Sequence, residues 1–140
     1  MRRGTTLLEI SAALLIMAIA VAALVPAGLR YRRRFAVLSA REEMIGVLAR
    51  ARMRAVGGGG ARIELRVEPP RARVIVADTV TDMLDLADPR VRVDLGGRRR
   101  ATLRYDALGI GRFANVSVTF TYGDERAGVV VSSYGRISRR

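Results

Sequence analysis

The chain has 140 residues, half of them hydrophobic, which is enough for one domain with a sizeable core. It has no cysteine and no histidine, which excludes disulfides, thiolate metal sites, cysteine nucleophiles and imidazole bases. Its 25 basic residues, all arginine, face 13 acidic ones, and the net charge of +12 favours anionic partners such as lipid headgroups or nucleic acid. An enzyme would have only carboxylates, arginines and hydroxyls to work with. No cofactor or metal is implied, and the expectation is a non-enzymatic protein.

From Ile10 to Leu29 the chain is uncharged. Twenty residues make about 30 Å of helix, the thickness of a bilayer core. Arg2 and Arg3 precede the stretch and Arg30, Arg32, Arg33 and Arg34 follow it. Three readings compete: a secretory signal cut near Val25-Pro26-Ala27, a plain single-span anchor, and a processed membrane signal that keeps its apolar helix. Glu9 separates them. A carboxylate at the edge of an apolar span costs roughly 2–3 kcal/mol on insertion scales, and neither of the first two readings needs one.

The segment Arg2-Arg3-Gly4-Thr5-Thr6-Leu7-Leu8-Glu9-Ile10 resembles the processing site of type IV prepilins and pseudopilins. The resemblance implies that residues 1–4 are a leader removed by a prepilin peptidase, with cleavage after Gly4 and N-methylation of Thr5, where the family usually carries phenylalanine. It implies that Glu9 pairs with the N-terminal amine of a neighbouring subunit during assembly. It also gives Pro26 a role as the point where the packed helix can extend. Arginine counting beside the span argues for a cytoplasmic C-terminal part. The resemblance implies the opposite, a periplasmic domain on a single-pass inner-membrane protein.

Beyond the span, Val37, Leu38, Met44, Ile45, Leu48, Arg52 and Ala55 trace a stripe at helical spacing. One helix is therefore expected over 5–56, with a transmembrane part (10–29) and an amphipathic lower half (30–56). The glycines at 57–60 should break it. The region 61–140 then reads as a β domain. Ile63, Leu65 and Val67 alternate with polar residues, Pro69-Pro70 turns the chain, and Val74-Ile75-Val76 returns. Val91, Val93 and Leu95, then Gly96-Gly97, then Ala101, Leu103 and Tyr105 read as a hairpin, with Arg98-Arg99-Arg100 as edge charge. Val116 to Tyr122, a loop from Gly123 to Gly128, and Val129-Val130-Val131 complete a small antiparallel sheet packed on the lower helix, an α+β arrangement. Asp78, Asp82, Asp85 and Asp88 fit one solvated face of a short helix better than a calcium loop.

Two further segments carry resemblance to one branch, the GspH/FimT-type minor pseudopilins and minor pilins. They are Tyr105-Asp106-Ala107-Leu108-Gly109 and the ending Val129 to Ile137 with its Gly135-Arg136 pair. The resemblance implies a subunit of a type II secretion or type IV pilus machine. Its partners would be the prepilin peptidase, other pilins, the inner-membrane assembly platform and inner-membrane lipid. The alternative is a minor pilin that captures DNA through a basic C-terminus, with Tyr134 stacking on a base and Arg136, Arg139 and Arg140 gripping phosphate.

Overall fold

A computed structural model describes residues 6–85, 88–112 and 115–140. One helix, α1 (Leu7–Gly58), runs 52 residues without interruption. Thr6 starts it by a reciprocal cap: the Thr6 hydroxyl accepts from Glu9 N (3.3 Å), and the Glu9 carboxylate accepts from Thr6 N (2.9 Å). Gly59, in the left-handed conformation, ends it, and the Ala55 carbonyl accepts from both Gly59 and Gly60.

The two halves of α1 live in different surroundings. Its most apolar stretch has no cover from the rest of the chain, and it is long and apolar enough to cross a bilayer. Val37, Ala40, Met44, Val47, Leu48, Ala51 and Ala55 are instead buried, at the three- and four-residue steps of one helix face. The expected stripe is therefore partly right. Leu38 and Ile45 sit half-buried on its flank, Arg52 is exposed, and small Ala40 and Ala51 let the strands approach.

Among the described residues nine strands follow: β1 (Ala61–Arg66), β2 (Arg71–Val76), β3 (Thr79–Asp85), β4 (Arg92–Asp94), β5 (Arg100–Tyr105), β6 (Gly111–Arg112), β7 (Val116–Tyr122), β8 (Glu125–Val131) and β9 (Ile137–Arg139). They form two antiparallel sheets, ordered β3-β2-β1-β5-β6 and β4-β7-β8-β9. The lower half of α1 packs on both, and Phe120, Val118, Val129, Ile63, Leu65 and Val74 bury their side chains between them. Each such side chain contributes about 1.5–3 kcal/mol. The α+β class is as expected, a long N-terminal helix followed by a small antiparallel β domain.

Several details differ. Segment 79–85 is a strand and not a helix, because Ala77 and Asp78 both take positive φ (47° and 59°) and close a two-residue hairpin between β2 and β3. β4 and β5 are not a hairpin: β4 pairs with β7 and β5 with β1, so the chain crosses from one sheet to the other. The Asp94 carboxylate shapes that corner by accepting from Gly96 N (3.3 Å) and Gly97 N (2.9 Å). Arg98 and Arg99 therefore sit on the crossover, and Arg100 opens an inner strand, not an edge. β8 resumes at Glu125, so the loop before it is only Gly123-Asp124.

Candidate functional site

The residues singled out by sequence fall at two ends of the molecule. Gly4 and Thr5 lie outside the described residues. Glu9 stands in the first turn of α1, its carboxylate joined to Thr6 by the cap. The apolar side chains around it are open to solvent, Leu7 and Leu8 at 85% and 80% exposure. Pro26 lies within the continuous helix, where it cannot donate to the Ala22 carbonyl. The capping role of Glu9 was missed at the sequence level, although Thr6-Leu7-Leu8-Glu9 before an apolar run spells it.

The C-terminal group does not form one free basic grip. Arg139 turns back to α1, where Nε and Nη2 donate to the two carboxylate oxygens of Glu42 (3.2 and 3.1 Å). That hydrogen bond and one from Arg41 hold the Glu42 carboxyl below its ordinary pKa. Arg140 is tied through its backbone to Gly128 by two 2.8 Å bonds, continuing the pairing of β9 with β8. Tyr134 and Arg136 sit exposed on the turn before β9, and Ser132 bonds the Arg136 backbone.

The two segments that carried the branch resemblance meet in space. Asp106 organises the first as a turn: its carboxylate accepts from Ile110 N (2.9 Å) and Leu108 N (3.0 Å). Those backbone hydrogen bonds, with the one to Ile110 foremost, keep its carboxyl below the usual range. Just beyond, Gly111 lies face to face with Gly135. A Cβ on Gly111 would come within 2.6 Å of Gly135 N, and one on Gly135 within 2.9 Å of Tyr105 Cε1. The Tyr105 ring is buried beneath this contact.

Asp82, Asp85 and Asp88, expected on one helix face, instead each take their own arginine. Asp82 bonds Arg50 (2.9 Å) and lies 3.3 Å from Arg54, clamping β3 to α1; Asp85 bonds Arg71 across the β2–β3 pair; Asp88 bonds Arg90. The Arg50 hydrogen bond lowers the Asp82 pKa. Asp78 projects into solvent, 4.0 Å from Arg62. Among the described residues no group of three or more acidic side chains is placed to hold a metal ion.

The larger basic feature is the outer face of the five-stranded sheet. The inward residues of β1, β2 and β5 are apolar and buried, so their polar partners all face outward. Most are arginines set directly opposite one another: Arg62 faces Arg104, Arg66 faces Arg71 and Arg100, and Arg104 faces Arg112. Like charges at directly opposed positions are unfavourable unless an anion relieves them. Glu64 and Asp78 beside Arg62, Asp85 on Arg71 and Asp106 on Arg112 offset part of this charge. The alternation of arginine with apolar residues in the sequence carries this signal as well as the signal for burial.

No protein-family model, curated protein or solved structure matches the chain.

Proposed function

We propose that the chain is a non-enzymatic minor pseudopilin or minor pilin, a subunit of a type II secretion or type IV pilus machine. In this reading a prepilin peptidase cuts after Gly4 and methylates Thr5. The apolar half of α1 holds the product in the bacterial inner membrane with the sheet domain in the periplasm. An assembly platform then lifts it out, and α1 packs among those of other pilins. The observation that carries the reading is the division of α1. One continuous helix is clamped by the β domain over its lower half, while residues 10–29 are uncharged, uncovered and preceded by a carboxylate. A carboxylate at the head of an apolar span is costly to insert, which favours a pairing role for Glu9 beyond its cap on Thr6.

Topology tests it at the point where arginine counting disagrees. A reporter active only in the periplasm, fused after Arg140, is expected to be active. Activity of a cytoplasm-only reporter at the same position would overturn the reading.

A second reading, capture of nucleic acid, is favoured by the arginine face. Among the described residues that face bears no aromatic side chain for base stacking, so contacts would be to phosphate and independent of sequence. In fluorescence anisotropy with a random DNA duplex, binding by the full chain in detergent should weaken steeply with salt. Arg62→Gln with Arg104→Gln should reduce the slope of log K against log salt by about 2, at about 0.9 per phosphate contact. The C-terminal pair Arg136→Gln with Arg139→Gln should leave it nearly unchanged. An unaltered slope in the sheet variant, or a collapse in the C-terminal one, would remove this reading.

A further inference from the structure

We propose that the collar where α1 leaves its apolar stretch is a binding surface for anionic phospholipid headgroups. The inference rests on the helix spanning a bilayer, and not on assembly into a filament.

The collar is placed by the rise of the helix. Arg30 to Phe35 extend at most about 9 Å past Leu29 at 1.5 Å per residue, close to the depth of one headgroup layer. Arg30, Arg32 and Arg34 are exposed. At about 100° per residue, Arg30 and Arg34 share one side of the helix and Arg32 takes the other, so cations ring the rod. Arg33 does not join them. It is half-buried over the Tyr122 ring, 6.0 Å from the centroid, and lies against Gly123 of the β7–β8 turn. This contact brings the sheet domain down to the level of the collar.

Tyr31 and Phe35 stack at 6.5 Å between centroids while remaining 72% and 63% exposed. A stacked aromatic pair left open to water has a natural place at a membrane interface. Beside it an open cavity of about 310 Å³ has Phe35, Ala36, Ala40 and Val91 in its wall and Arg32 and Arg90 among its lining residues. It offers an apolar wall with guanidinium groups close by. The acidic groups nearby are limited. Asp88 is taken up by both Nε and Nη2 of Arg90 (2.9 and 3.1 Å). Glu43 lies at the far end of the cavity, about 20 Å beyond Leu29 along the rod. Glu125 shares a shallow groove with Arg30 and Arg34. Three exposed arginines thus face the lipid layer, each favouring an anionic surface by about fivefold.

The test is lipid retention by the full chain in nanodiscs of phosphatidylcholine doped with phosphatidylglycerol, read by native mass spectrometry. Wild type should retain phosphatidylglycerol well above its bulk share. The triple variant Arg30→Gln/Arg32→Gln/Arg34→Gln should lose that enrichment tenfold or more. The triple variant Arg98→Gln/Arg99→Gln/Arg100→Gln, with the same charge change at the sheet crossover, should keep it. Retained lipid that mirrors the bulk in wild type, or equal enrichment in the collar variant, overturns the proposal. A chain that fails to co-elute with the discs overturns the span and the proposal together. Normal co-elution without enrichment removes the headgroup surface alone.

Discussion

Glu9→Leu is expected to leave the protein inserted and processed yet absent from sheared filaments. The substitution removes a carboxylate from the edge of the apolar stretch, so insertion should be unharmed or improved. Inside a filament it would leave the neighbouring subunit's amine without a partner. Breaking one half of a buried pair costs about 3–5 kcal/mol, which is a hundredfold or more in the incorporation equilibrium. The Thr6–Glu9 cap supplies a competing account, in which Glu9 serves only its own helix. Glu9→Gln separates the two, because an amide preserves the reciprocal cap while losing the charge. Both variants should fail to incorporate. If Glu9→Gln enters filaments as wild type does, Glu9 is a helix cap and the charge-pairing account fails.

The second large effect is structural. Gly135→Ala should destabilise the β domain by several kcal/mol. Gly135 has φ of 79°, where a side chain costs about 1–2 kcal/mol. The new methyl would also meet Tyr105 Cε1 at 2.9 Å and Gly111 N at 3.0 Å, and forcing it into this packed site adds about 1–3 kcal/mol. For a domain of this size the sum lowers the thermal midpoint by roughly 10–25 °C. Gly96→Ala is the matched control: its φ is 67°, but no atom lies within 4 Å of its added carbon. It should show the conformational part alone, a shift of roughly 5–10 °C. Circular dichroism melts of the full chain in detergent measure both. Equal shifts would show that the Gly111–Gly135 contact does not lock the turn onto the C-terminal edge.

The helix was legible because its signals are local. Twenty uncharged residues, a three- and four-residue apolar stripe and four glycines fix its extent to within two residues at either end. Most strands were legible for the same reason, their period of two. Their partners were not. Alternation shows that β4 and β5 each bury one face, but not that those faces belong to different sheets. β3 was hidden because Ala77-Asp78 is an unusual pair for a turn with two positive φ values. The aspartates that follow imitate a helix face only when the turn goes unseen.

The candidate residues divide along the same line. Thr6 and Glu9 are three apart, and their cap follows from sequence. Arg139 and Glu42 are 97 residues apart, and nothing in the arginine-rich ending marks one guanidinium as engaged by the helix and its neighbours as open. The arginine face is intermediate. Each strand shows its arginines, but their facing positions exist only once the register is known.

Leader removal is tested most directly by the intact mass of the protein extracted from membranes of cells that express a prepilin peptidase. Loss of Met1 to Gly4 with gain of one methyl group on Thr5 is the expected result, and Gly4→Ala should leave the chain uncut. A mature protein beginning at Gly28, or a full-length wild-type chain in the presence of active peptidase, would contradict it.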